Sequence, residues 1–174
     1  NAKDSILIAF GGGSYDAAYL KSARAIFDQE KSFKTTFVLG YDYNQDLADE
    51  ILRELPGAII IGGVNNMAEL MAQSDLAIVS AGYLKLEAAV TRTPAILIAT
   101  QWHQIPLAME YIKHTNVPFL GYKSFVTSDL ISQGILNLKS KRSRERAADQ
   151  ASDITDGLGF ERVYNLIFKT GKYV

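Results

Sequence analysis

The sequence contains no cysteine, which excludes a disulfide-stapled scaffold and any thiolate-ligated metal. Its two histidines, His103 and His114, are too few for a typical transition-metal site. No metal or other cofactor is expected. A formal net charge of −1 provides no global field to draw nucleic acid or an anionic membrane, so a charged partner has to be met by a local site. Long apolar runs are missing too: "GAIIIGGV" and "PAILIAT" end within eight residues, far below the ~18 that a membrane span needs. No signal-peptide pattern precedes the first apolar run, and with thiols absent a cytoplasmic host is the simplest expectation. The initiator methionine is also absent. Asn1-Ala2 before Lys3 reads as the scar of a cut made in a longer chain.

What is present is enough for one domain with a full core, since 174 residues of average apolar and charged content lie within the usual single-domain range. Six short, almost wholly apolar runs recur: "SILIAF" (5–10), "KTTFVLG" (34–40), "GAIIIG" (57–62), "DLAIVS" (75–80), "PAILIA" (94–99) and "VPFLGY" (117–122). Helical stretches with apolar residues near i, i+3 and i+4 separate them, as in "YDAAYLKSARAIFDQE" and "NQDLADEILREL". Strands without polar alternation, spaced by helices, predict a parallel sheet buried on both faces. The fold class is α/β, a doubly wound, Rossmann-like sheet of six strands in the order 3-2-1-4-5-6. After the sixth strand only helical pattern remains, including "RSRERAADQASDITDGLGFERVYNLIFKTG", so closing helices packed at one edge are expected. Within that stretch "DGLG" reads as a helix stop, with a fresh helix starting near Phe160. The basic run "LKSKRSRER" reads as a solvated helix start, although such a run can also touch nucleic acid or an anionic surface.

In such sheets ligands bind beyond the carboxyl ends of the strands, near the point where strand order reverses. After the first strand stand Gly11, Gly12, Gly13 and Ser14; after the third, "GGVNNMAEL"; after the fourth, "SAGYLKLE"; after the fifth, "TQWHQ". Small and hydrogen-bonding residues at four such junctions favour a nucleotide or nucleotide-sugar crevice. No lysine follows the glycines as a phosphate-loop ATPase requires, and Tyr15 and Asp16 stand where a dinucleotide fingerprint needs its last glycine. Glycines permit close backbone approach to an anion, and they equally serve a tight strand-to-helix turn. Both readings of the triple glycine stay open at this point.

The run "MAELMAQSDLAIVSAGYLKLEAAVTRTPAILI" through "HQIPLAMEYI", with "DITDGLGFERV" near the end, resembles the C-terminal, nucleotide-sugar-binding half of two-domain (GT-B) glycosyltransferases. More narrowly it resembles the UDP-sugar hydrolase of pseudaminic acid synthesis and its spore-coat polysaccharide relatives. The resemblance covers nearly the whole chain from Ser5. It implies that residues 1–174 form a single nucleotide-sugar-binding domain of a longer two-domain protein.

Residue by residue, the resemblance implies that Glu87 accepts both ribose hydroxyls of UDP. It implies that Ser80, Ala81, Gly82 and Tyr83 wrap the diphosphate, although Leu84 stands where the commoner pattern has a Ser or Thr hydroxyl. The segment with Val64, Asn65 and Met67 matches the backbone that pairs with uracil, while Asn65 or Asn66 also suits a plain N-cap and Met67 also reads as core. His103 and Gln104 fall where polar groups contact the donor sugar. Arg162 resembles a closing arginine with a structural role.

The expected ligand is thus UDP or a UDP-sugar, bound by half of a hydrolase or glycosyltransferase of cell-surface polysaccharide or nonulosonic acid synthesis. Catalytic residues are expected on a missing N-terminal domain or a partner chain, which leaves this chain alone inactive. The alternatives are a stand-alone donor-binding subunit that recruits a partner chain, and a nucleotide-binding fold that has lost its ligand.

Overall fold

The structure, a computed structural model, describes residues 4–13, 15–29 and 33–169. Strands β1 (Ser5–Ala9), β2 (Lys34–Leu39), β3 (Ile59–Gly62), β4 (Leu76–Ser80), β5 (Ala95–Ala99) and β6 (Phe119–Tyr122) form one sheet in the order β3-β2-β1-β4-β5-β6. Every pairing is parallel, with Ile8 of β1 lying between Phe37 of β2 and Ile78 of β4. Helices α1 (Asp16–Phe27), α2 (Gln45–Glu54), α3 (Met67–Ala72), α4 (Leu84–Val90) and α5 (Gln104–Ile112) make the crossovers. Both the sheet order and the doubly wound class match the reading of the sequence.

The core sits on the inner strands. Ile8, Phe37, Ile78, Val79, Ile96, Leu97 and Ile98 are fully buried, which places β-branched and bulky apolar groups on both faces of a sheet covered twice. The expectation of two buried faces fails at the edges. Ile59 of β3 is 43% exposed, and all four residues of β6 are only half-buried, because an edge strand has a neighbour on one side only.

The closing helices also differ from expectation. Helices α6 (Ser128–Asn137) and α7 (Lys141–Ser152) do not share one edge: α6 packs on α1, where Ser132 Oγ donates to the Ala25 carbonyl at 3.2 Å, and α7 packs on α4. Arg92 of the turn after α4 pairs with Asp149 of α7. The basic run opens α7 as a capped helix start, with Ser140 Oγ accepting the Ser143 N–H at 3.0 Å. Arg144 donates to the carbonyls of Leu138 and Lys139, which satisfies the end of α6.

Gly157, at φ +76°, and Asp156 then stop the chain before α8 (Gly159–Tyr164), which continues as a π-helical turn at Asn165–Lys169. Arg162 grips Asp156 and, with the Leu158 N–H, holds that carboxyl down to about 2. No residue of α8 or the π-helical turn is buried. Among the described residues no helix is long and apolar enough to cross a membrane.

Candidate functional site

At the carboxyl end of β1 the chain is fixed before it turns. Tyr19 of α1, almost fully buried, donates its hydroxyl to the Val38 carbonyl at 2.8 Å and accepts the Phe10 N–H at 3.2 Å. Burial pushes its phenol up to about 12. The chain then enters Gly11 at φ +87°, a conformation that L side chains rarely adopt. A side chain on Gly12 would meet nothing within 4 Å, so this loop opens to solvent at the sheet edge. Gly13 is different: the Tyr15 ring lies over it, leaving no room for a Cβ. Ser14 lies outside the described residues.

The β3 junction is covered by a residue from the neighbouring loop. Tyr41, which follows β2, lays its ring over Gly63, and its hydroxyl donates to Asn65 Oδ1 at 2.7 Å with the Val64 carbonyl at 3.4 Å. Asn66 is the helix cap here: its Oδ1 accepts the Glu69 N–H at 3.1 Å and its Nδ2 donates back to the Glu69 carboxylate. Met67 packs against the core.

The β4 loop is held from beneath. Ala81 donates its N–H to the Ile98 carbonyl at 2.9 Å, while Lys85, 7% exposed, reaches back one turn to the carbonyls of Ala81 at 2.9 Å and Gly82 at 3.1 Å. Burial lowers the Lys85 pKa, and the two carbonyls are its compensation. Ser80 is buried and Tyr83 projects into solvent. As at any helix start, the first N–H groups after Ser80 have no intrahelical acceptor. Glu87, one turn further, is half-buried, and burial raises its carboxyl above the usual range. Its carboxylate takes no hydrogen bond from the described residues.

Gln104 joins the β4 and β5 loops. Its Oε1 accepts the Thr100 N–H at 2.8 Å and faces the Thr100 hydroxyl at 3.3 Å, and its Nε2 lies against Gly82, 3.0 Å from where a Cβ would stand. His103, exposed at the start of α5, caps nothing. Gln101 donates to the Tyr15 hydroxyl at 3.3 Å, and the Lys123 ammonium sits 4.8 Å from the centre of the Tyr15 ring.

These contacts bind the loops of one sheet edge into a single rim. Tyr41 connects β2 to the β3 junction, Gly40 packs on Gly12 to connect β2 to β1, and Gln104 connects β4 to β5. Of the residues singled out from sequence, Gly11, Gly12, Val64, Asn65, Gly82, Tyr83, Glu87 and His103 lie at this rim with exposed or half-buried surface. Gln104, Ser80 and Ala81 are buried behind it, and Met67 is half-buried against the core. Tyr41, Lys85, Tyr15 and Lys123 escaped sequence reasoning. The junctions after the second and sixth strands, "GYDYN" and "GYKSF", carry two of them and answer to the same strand-end rule.

A cavity of about 840 Å³ opens at the opposite, amino edge of the sheet, lined by Asp4, Ser5, Phe33, Asp75, Ile135 and Arg144 among others. Asp75 is already engaged there, accepting both the backbone N–H and the hydroxyl of Ser5 at 2.9 Å. The carboxyl edge, although open, is where ligands bind in sheets of this topology.

No protein-family model matches the chain. An uncharacterized protein of Methanocaldococcus jannaschii, MJ1062, is 29% identical over 121 residues, which span 67% of this chain and 25% of that protein. Among solved structures, MurG of Acinetobacter baumannii superposes with a TM-score of 0.79 at 18% identity, covering 97% of this chain and 50% of its own. UDP-GlcNAc 2-epimerase of Neisseria meningitidis, bound to UDP-GlcNAc, superposes at 0.68 with 16% identity, covering 97% of this chain and 45% of its own. The chain therefore spans about a quarter of its curated relative and about half of these solved chains. In fold it corresponds to one half of MurG and of the UDP-GlcNAc 2-epimerase, a Rossmann-like α/β unit within a chain twice its length.

Proposed function

We propose that this chain is the UDP-sugar-binding half of a nucleotide-sugar hydrolase or glycosyltransferase, acting in cell-surface polysaccharide or nonulosonic acid synthesis. The observation that carries the reading is Glu87: a half-buried carboxylate, raised by burial and without a hydrogen-bond donor among the described residues, standing one turn beyond an open loop. Such a group costs stability unless a ligand supplies the donors. A ribose cis-diol supplies two. Within the Ser80–Tyr83 loop the Gly82 and Tyr83 N–H groups then receive the diphosphate, the Ala81 N–H being held by the Ile98 carbonyl, with the Lys85 ammonium behind the loop turning the Ala81 and Gly82 carbonyls away.

The Val64–Asn65 backbone reads the uracil, with Tyr41 bracing it. Gly11 and Gly12 border the phosphates or the sugar from the other side, where a side chain would obstruct them. Gln104 contributes its amide nitrogen only, because its oxygen is committed to Thr100. His103 is free to meet the sugar.

The catalytic base and the acceptor site belong to a second body, either the other half of the same polypeptide or a separate chain. The closing helix favours such a body: Phe160, Val163, Tyr164, Ile167 and Phe168 recur at i, i+3, i+4, i+7 and i+8, and all are exposed. Isothermal calorimetry tests the reading. UDP binds more tightly than ADP or GDP, and Glu87→Ala loses about 1.5–3 kcal/mol of UDP affinity, about 10- to 150-fold in Kd. Equal binding of the three nucleotides, or an unchanged Glu87→Ala, refutes the assignment.

A further inference from the structure

Trp102 is the single tryptophan of the chain and stands in the turn between β5 and α5 with 61% of its surface exposed. Its indole is stacked on the Tyr122 ring from the end of β6, with centroids 3.9 Å apart and planes within 16°. Phe125, itself largely exposed, lies near Tyr122 with ring centroids 6.5 Å apart and planes tilted by 56°. One indole face is therefore covered by a partner ring and the opposite face looks outward, held in a fixed plane. A ring already immobilised by stacking loses little further freedom when a ligand lies on it.

The residues that flank the stack in the chain are polar. Gln101, the residue before Trp102, carries an amide anchored on the Tyr15 hydroxyl at 3.3 Å. Lys123, the residue after Tyr122, carries an ammonium held over the Tyr15 ring at 4.8 Å. Scattered surface aromatics need no explanation, but three adjoining rings flanked in the chain by an amide and a cation, both turned to Tyr15, form a patch of definite chemistry. A flat apolar face with hydrogen-bond donors on the residues that flank it in the chain fits a molecule with a flat face of C–H groups and an edge of hydroxyls. A pyranose ring is such a molecule. The platform lies at the ends of β5 and β6, and β6 is two strands, about 10 Å, beyond β4 and its Ser80–Tyr83 loop. The buried Gln104 side chain fills the space between the β4 and β5 loops.

We propose that the Trp102–Tyr122 stack is a sugar-binding platform that takes a pyranose ring other than the one carried on the nucleotide. The choice of a sugar as occupant rests on the nucleotide-sugar reading of the neighbouring rim; the stack and its polar chain neighbours do not. Because Trp102 is the only tryptophan, indole fluorescence and the single indole N–H resonance report on this site alone.

The test titrates the protein with millimolar N-acetylglucosamine and, separately, glucose, each with and without saturating UDP or UDP-N-acetylglucosamine. The inference predicts a saturable shift of the indole resonance by at least one of the two sugars, retained in the presence of either nucleotide. By calorimetry, Trp102→Phe keeps sugar affinity within about two-fold and Trp102→Ala weakens it at least about five-fold, while UDP affinity stays unchanged in both. An indole silent to both sugars, a Trp102→Ala that binds sugar as well as wild type, or competition by UDP-N-acetylglucosamine overturns the inference. A responding indole without UDP binding discards the nucleotide reading and keeps the platform. UDP binding with a silent indole does the reverse.

Discussion

Replacing Tyr19 with phenylalanine removes one oxygen from the interior and should cost more than any single change at the rim. That oxygen donates to the Val38 carbonyl at 2.8 Å and accepts the Phe10 N–H at 3.2 Å, tying together the ends of β1 and β2 immediately before the glycine loop. The ring itself stays, so its edge-on contact with Phe10, centroids 4.9 Å apart, persists and no large cavity forms. Loss of the bond to Val38 costs about 1 kcal/mol net, and stranding the buried Phe10 N–H adds about 1–3 kcal/mol, for a total of about 2–4 kcal/mol. At this chain length that lowers Tm by about 5–15 °C.

Urea denaturation followed by far-UV circular dichroism measures the loss as a fall in midpoint at constant slope. The pH dependence supplies a second check. The folded pKa of Tyr19, about 12, lies above its unfolded value of 10.0, so the stability this hydroxyl contributes is fully present below pH 10 and lost as pH rises through about 12. Wild type should therefore lose stability more steeply than Tyr19→Phe across that window. A loss below about 1 kcal/mol, or parallel alkaline curves, would show that the hydroxyl does not hold the two strand ends as described.

Two further predictions concern the rim. Gly12→Val places a side chain in open space, since a Cβ there meets nothing within 4 Å, and Gly12 has an ordinary negative-φ backbone. Melting temperature should hardly change while UDP affinity falls; a lowered Tm with intact affinity would make the glycines turn residues only. Glu87→Gln should stabilise the ligand-free protein at neutral pH, because burial raises the folded pKa of Glu87 above its unfolded value and its ionised form is the disfavoured one. That advantage over wild type should disappear as pH falls below the unfolded value of about 4.5, and UDP should bind the variant more weakly. A Glu87→Gln less stable than wild type at pH 7 contradicts the unpaired-carboxylate picture.

The sheet was legible because its signal is local and repeated. Runs such as "DLAIVS" and "PAILIA" carry no polar alternation, and burial on both faces is the cause. The same signal misled at β3 and β6, since "GAIIIG" looks as buried as "PAILIA" although it forms an edge, and edge position is a property of topology rather than of the run itself. At the rim, Glu87 and the glycines stood out because strand-end position and resemblance both point there. Lys85 did not: in "YLKLEAAV" it reads as a solvated helix lysine, and only the turn of α4 shows that it points back to Ala81 and Gly82.

Tyr41 and the Trp102–Tyr122 stack depend on loops separated by about twenty residues that meet only when the sheet is assembled. The positive φ falls at Gly11, not at Gly12, and no composition rule distinguishes the two.

The central claim is that the carboxyl edge, rather than the cavity at the amino edge, takes UDP. Titrating UDP into ¹⁵N-labelled protein and following the backbone amides tests it most directly. The account predicts saturable shifts at Gly12, Val64, Asn65, Gly82, Tyr83 and Glu87, with the amides of Ser5, Asp75 and Ile135 at the far edge unmoved. Shifts centred on Asp75 and Ile135, or a spectrum indifferent to UDP, would contradict it.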